Sequence, residues 1–279
     1  LFKRVDNKKR ADIEFEIELE DKTTRWVLGS MNTSKTTGDY ILVVHDITQL
    51  RQLNSMRRDF ISNLSHELRT PVSVIRANSE TLLDGALENK KEAKIFAKAI
   101  LHNSERLSVM VADLIDLSRI EYGDLKLNIK KIDLISFMDD FVTSMKSVTK
   151  KKEIEIIFKS SHYDFVKADP QALERIMNNL VDNAFKYSEK GSVIEISTIT
   201  EHQHVKVMVS DSGVGVSDED KDHIFDRFYR TASARASDNK GSGLGLAIVK
   251  NLTNSLNGEV GVESKHDSGS IFWFTIPIG

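Results

Sequence analysis

Phe60-Ile61-Ser62-Asn63-Leu64-Ser65-His66-Glu67-Leu68-Arg69-Thr70-Pro71 is the stretch on which the fold turns. It lies inside a longer apolar series of Leu50, Leu53, Met56, Phe60, Leu64, Leu68, Val72 and Ile75, spaced by three and four residues. That is the repeat of a long helix with one apolar stripe. His66 stands two residues from both Leu64 and Leu68, about 200° around the helix from each. The imidazole therefore points away from the stripe and into solvent. Glu67 is its neighbour, and Thr70, four residues on, shares its face. An exposed imidazole beside a carboxylate is a nucleophile with a base to handle its proton. Most exposed helix histidines are only surface, so this motif does not settle a function alone. A zinc-protease reading fails, because Thr70 stands where the second histidine is needed. Pro71 removes the hydrogen bond to the Glu67 carbonyl and loosens the helix there.

The stripe breaks at Asp84-Gly85, and a second helix carries Leu107, Met110, Leu114 and Leu117 before ending ahead of Gly123. Two such helices form a hairpin that cannot bury both stripes well by itself. Dimerisation into a four-helix bundle would bury them, as would packing on another part of this chain. Upstream, Ile13, Phe15, Ile17 and Leu19 alternate with Glu14, Glu16, Glu18 and Glu20, the pattern of a half-buried antiparallel strand. Arg25–Leu28 and Tyr40–Val44 read as two more strands, with turns at Asp21-Lys22-Thr23 and Thr37-Gly38-Asp39. Three strands without a covering helix are the back half of a small sheet domain.

Beyond Gly123 the pattern becomes an α/β sandwich of mixed order. Leu134 to about Val148 is helical, and Ile154, Ile156 and Phe158 alternate as a strand. Asp169-Pro170 opens a helix, with Asp as N-cap and Pro in the first helical position. Strands follow at Val193–Thr198 and Val205–Val209, a helix from near Gly243 to Asn257-Gly258, and a last strand around Ile271–Ile276. On the helix after Pro170, Asn179, Asn183, Lys186 and Tyr187 recur at spacings of three and four, mostly opposite its buried stripe. Such a face could hold a metal–phosphate group, since Mg²⁺ takes few protein ligands and shares substrate phosphates. Asp211-Ser212-Gly213-Val214-Gly215 follows a strand directly; it is either an ordinary turn or a carboxylate beside a close backbone approach. Gly241-Ser242-Gly243-Leu244-Gly245-Leu246 opens a helix whose free N–H groups attract phosphate. It is neither a Rossmann fingerprint, lacking a preceding strand, nor a Walker loop, lacking the Gly-Lys-Ser/Thr spacing.

Composition narrows the classes. The 279 residues carry 39 Lys+Arg against 42 Asp+Glu, a net charge of −3, which leaves no basic footprint for nucleic acid. With no cysteine, disulfide frameworks, thiolate metal sites and cysteine nucleophiles are excluded, in keeping with a reducing compartment. No apolar run reaches about 18 residues, so no transmembrane helix or signal peptide is expected within this stretch. The opening at Leu1 reads as the middle of something, and the chain is taken as a fragment.

Taken in order, these motifs resemble those of a bacterial sensor histidine kinase of the two-component type. Phe60–Pro71 is similar to its H-box, Asn179–Tyr187 to its N-box, Asp211–Gly215 and Gly241–Leu246 to its glycine boxes, and Ile224–Arg230, with Phe225, to its F-box. Leu114–Gly123 resembles the end of the second dimerisation helix, and Glu80–Gly85 the phosphate-regulon sensor subgroup. The resemblance implies a multidomain α and α+β chain. Residues 1–47 would be the end of a PAS-like sensor whose exit is Asp46-Ile47-Thr48, and 48–123 a dimeric four-helix phosphotransfer domain. Residues 124–279 would be an α/β-sandwich ATP-binding domain of the GHKL type. It implies that His66 takes the γ-phosphoryl group of ATP, with Glu67 as base, and that Asn183 ligates Mg²⁺. Asn179, Lys186 and Arg230 would serve the phosphates, Tyr187 would flank the adenine, and Asp211 would accept from its amino group. Gly213, Gly215, Gly241, Gly243, Leu244, Gly245 and Leu246 would give close backbone approach, and residues 229–242 a lid, with Lys240 where many relatives carry glycine. The implied partners are a second copy and the receiver domain of a response regulator, with Thr70 orienting a water for a phosphatase activity. The segment would be cytoplasmic, anchored to a membrane only through upstream sequence. The rivals are a gyrase- or chaperone-like ATPase, which would lack the H-box, and a degenerate nucleotide-sensing scaffold, which would lack His66, Asn183 or Asp211.

Overall fold

Period-two alternation at the start of the chain does make strands. In the computed structural model, which describes residues 10–20, 22–33, 39–121, 125–160, 165–236, 241–264 and 269–279, β1 (Arg10–Glu18), β2 (Thr24–Thr33) and β3 (Tyr40–Asp46) form an antiparallel sheet in that order. Helix α1 (Thr48–Leu83) follows, and the chain divides into two compact units within it, Leu1–His66 and Glu67–Gly279. In the first unit the Asp46–Thr48 exit is tightly tied. The Thr48 N–H donates to Asp46 Oδ1 at 2.8 Å, and the Trp26 N–H donates to Thr48 Oγ1 at 2.9 Å. Arg51 stacks 4.3 Å above the Trp26 ring and pairs with Glu14. The turn expected at Lys22 forms, with its N–H donating to the Leu19 carbonyl, while Asp21, Thr37 and Gly38 lie outside the described residues.

Central β2 buries Val27 and Met31, but Ile13 and Phe15 on β1 remain 38% and 37% exposed, and β3 is exposed along its whole length. Alternation tells which side chains share a face; burying that face needs a second layer.

In the second unit, α1 ends ahead of Gly85, at the break read in the stripe, and Gly85 has a positive φ of 125°. A short 3₁₀ turn (Ala86–Glu88) leads to α2 (Lys90–Glu121). Part of the apolar stripe stays open: Leu50, Leu53 and Met56, described within the first unit, and Val72 in the second are all more than half exposed. One side of α2 is different. It packs against α7 (Gly245–Ser255), and Met110 and Leu117 are fully buried. Packing on another part of this chain thus serves one face of the hairpin.

The sandwich has a mixed sheet ordered β5 (Glu155–Ser160), β7 (Val193–Glu201), β8 (His204–Asp211), β10 (Ser270–Pro277), β9 (Val260–Ser264). Only β5 and β7 run parallel; the remaining pairs are antiparallel. Its helix-facing side chains, among them Ile194, Ile196, Val205, Val207, Val209, Phe272, Phe274 and Ile276, are buried. The other face is dressed by pairs such as Lys206, which reaches Glu263 and lies 4.4 Å above the Trp273 ring. Helices α3 (Leu134–Lys152), α4 (Pro170–Tyr187) and α7 pack on the sheet, and α4 lies against α7. The short β4 (Lys130–Asp133) and β6 (Phe165–Ala168) pair separately. These two strands, β9, and the one-turn helices α5 (Asp218–Lys221) and α6 (Ala232–Ala236) went unread in the sequence, being too short to show a period.

The N-terminus of α4 forms as its sequence dictates. The Asp169 carboxylate accepts from the N–H groups of Gln171, Ala172 and Asn128 at 2.7–3.0 Å, and Pro170 takes the first helical position. Three asparagines in this helix cost up to about 0.7 kcal/mol each relative to alanine. Against that, Leu173, Ile176, Met177, Leu180 and Val181 are fully buried, each contributing about 1.5–3 kcal/mol. Packing wins, so α4 forms and turns its polar face outward.

Candidate functional site

That polar face lines a cleft of about 540 Å³. Asn179, Asn183, Lys186 and Tyr187 from α4 meet Asp211 and Gly215 from the end of β8, Arg230 from the loop before α6, and Gly241, Gly243, Gly245 and Leu246 from the start of α7. Four stretches that are not neighbours in sequence thus converge on one site. Asn179 is held by an Nδ2–H bond to the Arg175 carbonyl at 2.8 Å, and its Oδ1 lies where a Cβ on Gly245 would sit 2.8 Å away. Lys186 pairs at 2.5 Å with Asp182, one turn earlier on a partly exposed surface, a contact worth too little to keep the ammonium from a phosphate.

The glycine turns are required by close approach. Gly243 has φ +71°, and a Cβ there would lie 2.8 Å from the Phe228 backbone, whose N–H donates to the Gly243 carbonyl. A Cβ on Gly213 would meet the Tyr187 carbonyl oxygen at 2.7 Å. Gly213 itself is not at the cleft wall; its N–H donates to Asp211 Oδ1 at 2.8 Å and shapes the turn. Phe225 and Leu244 are buried and are not among the residues that line the cleft. Arg230 donates to the Ala234 carbonyl, and Tyr229 donates to Asp220 Oδ1 at 2.6 Å, anchoring the first part of the expected lid. Residues 237–240, including Lys240, lie outside the described residues.

On α1, His66 and Thr70 are exposed, as the helical spacing requires. Glu67 is half-buried, and its carboxylate accepts from the Arg106 guanidinium of α2 at 3.2 Å. Sequence reasoning missed Arg106, and also Arg175 on α4, which grips Asp113 at 2.5 Å and Asp116 at 3.3 Å on α2. Burial raises the Asp113 carboxyl above its usual range, helped by Asp116, while Arg175 and Lys186 oppose the shift. No local pattern marks these pairs, whose members stand 39 and 62 residues apart.

The cleft suits a metal–triphosphate. Among the described residues no three or more His, Cys, Asp or Glu side chains gather into a metal cage. One amide such as Asn183, with backbone clear of side chains at the glycines, matches an ion that takes most of its oxygens from phosphates and water.

Comparison with known proteins decides the family. Residues 56–123 match the model of the His Kinase A (phospho-acceptor) domain, and residues 168–279 that of the histidine kinase-, DNA gyrase B- and HSP90-like ATPase. The chain belongs to the sensor histidine kinases. It is 33% identical over 240 residues to the sensor histidine kinase WalK of Bacillus subtilis, covering 85% of this chain and 39% of WalK. It therefore spans well under two thirds of that relative's length. Among solved structures it resembles the histidine kinase AdeS of Acinetobacter baumannii, with TM-score 0.64 and 26% identity over 77% of this chain and 98% of that one. It also resembles full-length ShkA in complex with AMPPNP, with TM-score 0.59 and 27% identity over 79% of this chain and 46% of that one. No helix among the described residues is long and apolar enough to cross a membrane.

Burial lifts the Asp211 carboxyl above the ordinary carboxylate range, against the pull of the Gly213 and Ser270 N–H groups. A carboxyl whose folded-state pKa is raised costs stability above that pKa, and the cost vanishes below the unfolded value near pH 4. Asp211→Asn should therefore melt higher than wild type at pH 7, with the gap closing as the pH falls toward 4. Thermal unfolding at several pH values measures it; a variant that melts lower at pH 7 would mean that the N–H donors outweigh burial.

Proposed function

We propose that this chain is the kinase core of a sensor protein, which phosphorylates its own His66 from Mg-ATP and passes the phosphoryl group to an aspartate on the receiver domain of a response regulator. The observation that carries this reading is the convergence of Asn179, Asn183, Lys186, Asp211 and the glycines of α7 on one cleft, in a chain whose α1 exposes His66. The AMPPNP bound to ShkA supports a nucleotide in that cleft.

In this reading an imidazole nitrogen of His66 attacks the γ-phosphorus, the bond to the β–γ bridging oxygen breaks, and ADP leaves. Glu67 handles the imidazole proton, while the Arg106 guanidinium donates to its Oε2. Asn183 would hold Mg²⁺, whose charge offsets that of the phosphates; Asn179, Lys186 and Arg230 would orient the triphosphate. Asp211 would accept from the adenine amino group and Tyr187 would flank the ring. Incubation with γ-labelled ATP and Mg²⁺ should give a label that is acid-labile and base-stable, as a P–N bond is. A label with the opposite stability would remove the histidine chemistry.

The domain limits proposed are 1–47 for the end of a PAS-like sensor, 48–123 for dimerisation and phosphotransfer, and 124–279 for ATP binding. Association in pairs is supported by the open stripe residues Leu50, Leu53, Met56 and Val72, since soluble monomers rarely expose so much apolar surface. Light scattering at micromolar concentration should return twice the chain mass; a monomer would contradict the four-helix bundle. Thr70, an exposed residue on the face of His66, would orient a water for dephosphorylation of the regulator, a role that the decay of phosphorylated regulator with Thr70→Ala protein would check.

A further inference from the structure

The Ser264 hydroxyl, at the end of β9, is not on the cleft wall, yet all its hydrogen-bonding capacity is used next to it. It donates to the Gly269 carbonyl at 2.7 Å and accepts from the Val216 N–H at 2.8 Å. Ser270 Oγ lies 3.1 Å away. A hydroxyl has one hydrogen and two lone pairs, so with the hydrogen on Gly269 the lone pairs take the Val216 N–H and the Ser270 O–H. Val216, Gly269 and Ser270 are all buried, where water cannot replace a lost partner.

These contacts converge on Asp211. Ser270 is its register partner across β8 and β10, and the Ser270 N–H donates to the Asp211 carboxylate. Gly269 runs so close to β8 that a Cβ on it would sit 2.1 Å from the Asp211 carbonyl oxygen. Val216 closes the turn that Asp211 opens, and Asp211, Gly215, Val216 and Ser270 all line the cleft. One hydroxyl therefore pins the β9–β10 hairpin to both ends of the Asp211–Val216 turn.

We infer that Ser264 is a positioning residue for purine recognition: through Gly269, Ser270 and Val216 it sets where the Asp211 carboxylate meets the exocyclic amine of adenine. The inference rests on the reading of Asp211 as the adenine acceptor, and the test separates the two. The full chain is titrated with ATP and with purine riboside triphosphate, which lacks the 6-amino group. Wild type should prefer ATP. Ser264→Ala should bind ATP about tenfold more weakly, the scale of one mispaired buried group, while holding the analogue nearly as wild type does. Ser264→Thr, which keeps the hydroxyl, should retain the preference. Where the alanine variant unfolds, Ser264→Cys, similar in size but a weak hydrogen-bond partner, decides instead. Equal weakening toward both nucleotides, or an unchanged preference, overturns the positioning role. Asp211→Asn is the separate control: should it keep the preference for ATP, the adenine reading itself falls, whatever Ser264 does.

Discussion

His66→Gln protein should take no acid-labile label from Mg-ATP, while binding ATP as wild type does. Glutamine is close to histidine in length and tolerated in helices, but its amide nitrogen is not a nucleophile at neutral pH. The side chain is exposed on α1, so the substitution should change folding stability by no more than about 0.5 kcal/mol. A loss of label with unchanged melting and unchanged nucleotide affinity would then be chemical rather than structural. The acceptor atom disappears altogether, so the effect is a fall to background and not a fractional slowing. A full-strength label surviving in this variant would move the phosphoacceptor to another residue.

Asn183→Asp should lower kcat/KM for autophosphorylation about 100-fold, within the range seen when metal-site support is removed. The amide lies on the cleft wall of α4, one turn beyond Asn179 and one before the Lys186–Tyr187 pair. Its replacement adds a negative charge beside a triphosphate. At 4 Å and an effective dielectric of about 20, one such pair repels by about 4 kcal/mol, part of which Mg²⁺ offsets. Helix α4 keeps its buried stripe, so the fold should survive. Initial rates across a Mg²⁺ titration measure the loss, and the variant should need more metal than wild type. Kinetics within twofold of wild type at every Mg²⁺ concentration would take Asn183 out of the metal site.

Several elements were legible because their causes are local. Asp169-Pro170 announces the start of α4, since the N-cap side chain and the pyrrolidine ring act within three residues. The spacing of Leu64 and Leu68 puts His66 in solvent without any knowledge of the rest of the fold. The turn read at Asp211–Gly215 exists, with the Gly213 N–H donating to Asp211 Oδ1. What the spacing could not reveal is how far each buried face would be covered. On β1, Ile13 and Phe15 keep 38% and 37% of their surface exposed, and the second hairpin helix is sheltered on one side by α7.

By itself, the sequence determined the class of each long element, the exposed histidine, and the order of the motifs that mark a sensor histidine kinase. All of these rest on contacts between residues two to four apart, which a linear pattern records. Tertiary structure alone decided that Glu67 is held by Arg106, that Arg175 grips Asp113 and Asp116, that Phe225 and Leu244 are buried, and that Ser264 pins the Asp211 turn. The physical reason is the same in each case. A short-range period fixes which way a side chain faces, whereas its partner and its burial depend on which distant segment the packed core brings against it.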